Sequence, residues 1–258
     1  MGRTACRRWS PRWRKPPHPS CGNRHAEHIA IDILVANETL NACADRSLWW
    51  PRERTLIVAD VHLGKAAAFR RAGVAVPSGA TAADLARLDV LIAEHAPQRL
   101  LVLGDLFHTQ LSFDEPAVAA IDAFRGRHAQ LQISVIQGNH DRQIERLPAA
   151  WRLEWISGAL HQAPFVFAHE PAADSRGTVL AGHIHPVVRL QSRRDSARLP
   201  VFWFRHRQAI GVLPAFGSFT GGYAVTPLKE DAVIAVTPDG LVRLQSGEPF
   251  GTKAPCTS

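Results

Sequence analysis

No run of apolar residues in this 258-residue chain reaches the roughly 20 that a membrane-spanning helix needs, so a helical membrane protein is excluded. Cysteine is scarce: there are four, Cys6, Cys21, Cys43 and Cys256. That is too few to staple a chain this long, and none has the CxxC spacing of a structural zinc site. A reducing cytoplasm is the expectation from that usage. No apolar stretch follows the basic residues near the N-terminus, so no secretory signal is expected. Internal repeats and an interdomain linker are also missing.

What is present is ordinary globular material, 46% hydrophobic and 21% charged, enough to bury a sizeable core. The net charge of +7 is unevenly placed. Residues 1–28 hold seven basic side chains (Arg3, Arg7, Arg8, Arg12, Arg14, Lys15, Arg24) against Glu27 alone. Residues 29–258 are left with 23 basic and 22 acidic side chains. A globally basic surface, the usual footprint of a nucleic-acid binder, is therefore not indicated for the folded part. The first 28 residues are expected to be a disordered basic tail, either an arm that touches nucleic acid or a leader without function. Residues 29–245 are expected to form one domain and 246–258 a C-terminal tail.

Along the chain, 29–36 and 46–50 flank a short polar turn and read as a hairpin. Thr55–Ala59, Leu100–Leu103 and Ile133–Ile136 are short β-branched or leucine-rich runs, the pattern of strands buried on both faces. Residues 81–95 place Leu85, Leu88, Ile92 and His95 on one helical face, with Thr81 and Asp84 as a capping pair. Asp114-Glu115-Pro116 opens a second helix through about Arg127. After Pro148 come short strands at Phe165–Ala168, Thr178–Ala181, Pro186–Leu190, Leu199–Phe204, Ile210–Leu213 and Val233–Val236. A βαβ-like front half and a mostly β back half fit a two-sheet α/β architecture.

Five polar clusters each follow an apolar strand: Asp60-Val61-His62, Gly104-Asp105, Gly138-Asn139-His140-Asp141, His169, and Gly182-His183-Ile184-His185. Ligands collect beyond the carboxyl ends of strands in open α/β sheets, so the five converge on one crevice if their strands lie side by side. An extended chain would point Asp60 and His62 the same way, and likewise His183 and His185. Buried charges there need compensation, which metal coordination supplies. Asp60, His62, Asp105, Asn139, His169, His183 and His185 exceed one ion's needs and suit two, with a carboxylate bridging. Imidazole, carboxylate and amide without thiolate suit Mn²⁺, Fe or Zn²⁺. His108 either approaches the metals or sits hydrogen-bonded beside the core. His95, His128 and His161 read as surface residues. Lys65, Arg70 and Arg71 either reach phosphate or form a solvated helix face. Arg193, Arg194, Arg198, Arg205 and Arg207, interleaved with Phe202, Trp203 and Phe204, read either as stacking platforms beside a charged groove or, more simply, as a buried strand with charged ends. Gly217–Gly222 is either a loop near the site or a plain connection.

The ordered set of five clusters resembles the signature of the calcineurin-like metallophosphoesterases over roughly residues 30–225. Ala-Asp-Val-His-Leu-Gly-Lys (59–65), Leu-Gly-Asp-Leu-Phe-His (103–108), Ala-Gly-His-Ile-His-Pro (181–186) and Leu-Pro-Ala-Phe-Gly-Ser-Phe-Thr-Gly-Gly (213–222) are similar to the bacterial ligase-associated DNA damage response phosphodiesterase/endonuclease group. The resemblance implies a four-layer α/β sandwich, two packed mixed β-sheets flanked by helices. It implies Asp60, His62 and His185 on one metal, Asn139, His169 and His183 on the other, and Asp105 bridging. His140 would act on the leaving oxygen, with Asp141 orienting it. The family's usual Gly after the lone His is replaced by Glu170-Pro171, which bears on that loop's shape. The implied activity is dinuclear, Mn²⁺-type phosphodiester hydrolysis in nucleic acid or nucleotides, with a DNA ligase, an exonuclease and a helicase as partners in repair. A phosphomonoesterase, a nucleotide pyrophosphatase or a catalytically silent scaffold are the alternatives, and the oligomeric state is open.

Overall fold

The structure, a computed structural model, describes residues 30–76, 78–109, 114–144, 147–191 and 196–245. The basic segment 1–28, the tail after 245, and Arg193 and Arg194 lie outside the described residues.

The chain opens as a meander: β1 (Ala30–Val35), β2 (Glu38–Cys43), β3 (Leu48–Trp50) and β4 (Thr55–Val58) pair antiparallel in order. The β1–β2 turn is only Ala36–Asn37, at φ 51° and 64°, left-handed geometry that suits the twist of a two-residue hairpin. The expected polar turn before residue 46 is thus mostly strand. Leu40 and Ala42 alternate with Thr39 and Asn41 and are buried, so the segment pairs rather than loops. Next come α1 (Lys65–Arg71), α2 (Ala80–His95), β5 (Arg99–Val102), α3 (Glu115–Arg127), β6 (Gln132–Ile136) and β7 (Leu153–Ile156). β4 to β7 run parallel and complete a seven-stranded sheet in the order β1 to β7.

α3 starts as expected, with the Asp114 carboxylate accepting from Ala117 N at 2.9 Å. At α2 the expected capping pair does not form. Gly79 (φ 93°) takes the cap position, the Thr81 hydroxyl accepts from Gly64 N at 3.0 Å, and Asp84 accepts from Ser218 N at 3.0 Å. Tertiary partners have outcompeted the local ones. His95, expected at the surface, stacks on Trp49 with centroids 5.0 Å apart.

The back half supplies β8 (Leu160–Gln162), β9 (Phe165–Ala168), β10 (Thr178–Ala181), β11 (Pro186–Gln191), β12 (Ser196–Arg205), β13 (Ile210–Val212), β14 (Tyr223–Ala224), β15 (Ala232–Thr237) and β16 (Gly240–Gln245). They build a nine-stranded sheet, β14-β11-β12-β13-β10-β9-β8, with β15 added against β12 and β16 against β15. β12 is the buried strand rather than a stacking platform: Val201, Phe202 and Phe204 are sealed in the core.

The run Leu56-Ile57-Val58-Ala59 explains the layering. Leu56 and Val58 belong to one core cluster with Leu85, Leu88, Ile121 and Phe124 of α2 and α3, while Ile57 and Ala59 belong to another with Phe165, Leu180 and Phe202 of the second sheet. Trp50 anchors that inter-sheet core, edge-on to Phe165 at 5.0 Å, with its Nε1 donating to Glu38 at 2.9 Å. The α/β sandwich of two mixed sheets is as expected. Helices α2 and α3 pack their apolar faces into the core beside the first sheet. No described helix is long and apolar enough to cross a membrane.

Candidate metal centre

The five clusters converge, but not from strands side by side in one sheet. Asp60, Asp105 and Asn139 follow β4, β5 and β6, neighbours in the first sheet, while His169 and His183 follow β9 and β10, neighbours in the second. The crevice is the edge where the carboxyl ends of both sets meet. The loop after β13 closes it: Phe216 N donates to Ala59 O (2.8 Å) and Gly217 N to Asp60 O (3.2 Å). The Gly217–Gly222 segment is thus a loop at the site.

The expected extended geometry at Asp60-x-His62 and His183-x-His185 is replaced by its opposite. Asp60, His62, Asp105, His183 and His185 all have left-handed backbones, at φ 52°, 49°, 51°, 69° and 50°. Such residues cost on the order of 1–3 kcal/mol each and persist where the surroundings over-determine them. Here loop-to-loop hydrogen bonds do so, including His62 N to Asp105 O (2.9 Å), Leu63 N to Leu106 O (2.8 Å) and Gly182 N to His169 O (3.1 Å). Two glycines let backbone approach the donors. A Cβ on Gly104 would lie 2.1 Å from His169 Nδ1, and one on Gly138 2.1 Å from Asp105 Oδ1.

The side chains form a contiguous set. His185 Nε2 is 3.3 Å from Asp60 Oδ1 and 3.3 Å from His62 Nε2, which is 3.7 Å from Asp105 Oδ2. On the other flank His169 Nε2 is 3.7 Å from Asp105 Oδ1, 2.9 Å from Asn139 Oδ1 and 3.0 Å from His183 Nδ1. Asp105 therefore faces both groups. Backbone carbonyls set two of the imidazoles: His169 Nδ1 donates to Leu103 O (3.0 Å) and His185 Nδ1 to Gly221 O (3.2 Å). That leaves each Nε2 with a lone pair toward the centre, the usual way a metal-binding histidine is oriented.

The set fits divalent cations. Asp60, His62, Asp105 and His169 are buried, and Asp60 Oδ1 meets no hydrogen-bond donor among the described residues. Asp60, His62 and His185 bring ligand atoms within 4.8 Å of one another, as do Asp60, Asp105 and His169. Burial, and then the nearby Lys65 charge, push the His62 imidazole down to about 2, so it is neutral. Burial raises the Asp105 carboxyl, a penalty on its charged form that a cation would remove.

His140 and Asp141 part company. His140 lies against the centre, its ring centroid 5.1 Å from that of His62, and its Nδ1 donates to His108 O at 2.8 Å. The expected orienting role of Asp141 is not seen. Its carboxylate accepts from Phe107 N (3.1 Å), Gly138 N (3.1 Å) and Leu106 N (3.3 Å), which ties the second and third loops together. His108, left open by the sequence, stacks on His140 at 4.8 Å and joins His62 and His140 in a third ligand-like cluster. Its place three residues beyond Asp105 was the available signal. Of the basic residues after the first loop, Lys65 starts α1 half-buried near Asp60 and Asp105, whereas Arg70 pairs with Asp114 at 3.6 Å and Arg71 is exposed.

Comparison with known proteins follows the same lines. The family model for calcineurin-like phosphoesterase matches residues 53–233. Among solved structures, the Pseudomonas putida nuclease MPE is 36% identical with a TM-score of 0.72, the match covering 81% of this chain and 97% of that one. Yfce, a phosphoesterase from E. coli, is 14% identical with a TM-score of 0.35, over 74% of this chain and 92% of that one. No curated protein matches the chain.

Proposed function

The chain belongs to the calcineurin-like phosphoesterase family, and from that premise we propose that this metal-dependent phosphoesterase hydrolyses phosphodiester bonds in nucleic acid with two divalent ions. The observation that carries the reading is Asp105, a buried carboxylate whose two oxygens face separate imidazole groups from opposite sheets. Asp60, His62 and His185 would hold one ion and Asn139, His169 and His183 the other, with Asp105 placed to serve both. Bound divalent ions supply Lewis acidity, polarising a phosphoryl oxygen and making water a competent nucleophile near neutral pH. Mn²⁺ is the proposed metal, on the thiolate-free donor set of imidazole, carboxylate and amide.

His140 carries the proton step. With Nδ1–H committed to His108 O, the ring presents Nε2 to the centre. Protonated there, it delivers a proton to the departing alkoxide, a contribution of roughly 10²–10⁴-fold. Asp141 positions the loop that carries His140 through backbone hydrogen bonds, not through the ring. Nucleic acid as substrate is supported by the similarity to a nuclease along nearly that protein's whole length. Residues 29–245 act as one catalytic domain in this reading. A cytoplasmic setting in DNA repair, beside a ligase, an exonuclease and a helicase, rests on motif resemblance alone. The test is an activity matrix of Mn²⁺, Zn²⁺, Mg²⁺, Fe²⁺ and Ni²⁺ against bis-p-nitrophenyl phosphate, p-nitrophenyl phosphate and a short oligonucleotide. Diester and oligonucleotide cleavage led by Mn²⁺ is expected; a preference for the monoester under every metal refutes the proposal.

A further inference from the structure

His185 serves two places at once. Its Nε2 faces Asp60 and His62, and the same residue walls a cavity of about 320 Å³ beside the centre. Arg46, Arg198, Ser218 and Thr220 give this cavity its polar wall, Val187 and Pro200 an apolar one, and no carboxylate is among its described lining residues. A second cavity of about 420 Å³ shares Arg46, Arg198 and Pro200 and continues outward to Asp45 and Arg87, which sit 3.8 Å apart as a pair. Positive charge that is only partly balanced by carboxylates is therefore concentrated in the first cavity.

The two arginines are pre-positioned. Arg46 Nη1 donates to Ala215 O at 3.3 Å and Arg198 Nη2 to Gly222 O, so they grip the two ends of the loop that closes the site. A guanidinium has five N–H donors in a rigid fork, and one anchored to a carbonyl still offers others to an anion at little further ordering cost. Burial and the neighbouring Arg87 oppose the charge on Arg46, and Asp84 and Asp45 compensate only in part. An anion in the cavity would complete that compensation. A space of this size suits one nucleotide unit rather than a protein segment.

We infer that this cavity is a second phosphate subsite, in which Arg46 and Arg198 hold the phosphodiester next to the scissile one on a polynucleotide strand, the strand passing over His185. The inference rests on the reading above that scission occurs at the centre containing His185. It makes the enzyme selective for a polymer over a diester with a single phosphate.

The test uses the full-length protein, Mn²⁺-loaded and stripped, with fluorescein-labelled octathymidylate followed by anisotropy. Arg198→Ala is the deciding variant because its side chain is exposed. It should weaken binding about ten-fold, as expected for a lost charged hydrogen bond. It should also flatten log Kd against log salt by about 0.7, one phosphate contact on a single strand. Arg198→Lys should restore the salt slope. Arg176→Ala, which removes a charge preceding β10 at the opposite end from the centre, should leave both unchanged. In kinetics with Mn²⁺, the ratio of kcat/KM on octathymidylate to that on bis-p-nitrophenyl phosphate should fall about ten-fold in Arg198→Ala, through KM. Inorganic phosphate should compete for the stripped protein far more weakly than the oligonucleotide does. Unchanged affinity and slope in Arg198→Ala, equal losses on both esters, or no oligonucleotide binding by the wild type would each overturn the subsite. A wild type that binds the strand arginine-dependently yet cleaves no diester would instead sink the phosphodiesterase reading and leave the subsite standing.

Discussion

Gly104→Ala and Gly73→Ala make a matched pair that isolates how tightly His169 is held. Both glycines have left-handed backbones, φ 85° and 83°, so both substitutions carry the same backbone penalty of about 1–2 kcal/mol. Each recovers about 0.4–1 kcal/mol because the unfolded chain loses freedom. The surroundings differ completely. A Cβ at Gly73 meets nothing within 4 Å, whereas at Gly104 it meets His169 Nδ1, Cγ and Cβ at 2.1, 2.5 and 2.9 Å. His169 must move, and it is buried with its Nδ1–H on Leu103 O at 3.0 Å. Leaving a buried polar group unpaired costs about 1–3 kcal/mol, and overpacking a similar amount. Gly73→Ala should therefore cost about 0–1.6 kcal/mol, and Gly104→Ala about 2–6 kcal/mol more than that, in urea titrations of the metal-stripped protein read by linear extrapolation. Because the same imidazole faces Asn139 and Asp105, Gly104→Ala should also retain less manganese after equilibrium dialysis, measured by elemental analysis. A Gly104→Ala protein as stable as Gly73→Ala, with wild-type metal content, would refute the placement of His169.

Three further outcomes follow from the same geometry. Asp105→Ala should remove metal and activity together, and an active variant that keeps its full metal complement would rule out the bridging role. His140→Ala should slow diesters with strongly basic leaving groups by about 10²-fold or more while nitrophenyl esters, whose leaving group needs little protonation, change much less; equal losses with metal retained would contradict the acid role. Burial pushes the Cys43 thiol up from 9.0 to about 11, so the unfolded chain ionises first as pH rises. Unfolding free energy should then fall by about 1.4 kcal/mol per pH unit across that window, and Cys43→Ala should abolish this component in urea titrations at stepped pH.

The legible part of this molecule is what short-range pattern controls. Leu56–Ala59 and Leu100–Leu103 announce strands buried on both faces because each is a compact apolar run ended by a chemistry-bearing residue, and Asp114 with Pro116 announces a helix start. β2 escaped because Asn41 and Glu38 look like turn residues; only the alternate burial of Leu40 and Ala42 makes it a strand. At the centre, the donors were readable as a set, since so many histidines and aspartates after strands have few other uses. Their route to one another was not. Left-handed φ at Asp60, His62 and His185 depends on hydrogen bonds from loops tens of residues away, which no local rule anticipates. The same holds for Asp141, whose adjacency to His140 suggested a partner for the ring. Its neighbours in space turned out to be backbone N–H groups of Leu106 and Phe107. The carbonyls that orient His169, His185 and His140 carry no residue signature at all.

Because Asp60 and Asp105 belong to one sheet and His169, His183 and His185 to the other, the ribosome has to deliver the chain past residue 185 before the constellation can exist. A half-made or truncated product therefore lacks the complete set of donors. In the finished molecule, any cation captured there becomes a rivet across the seam, so that losing it loosens the docking of the two halves as well as the chemistry.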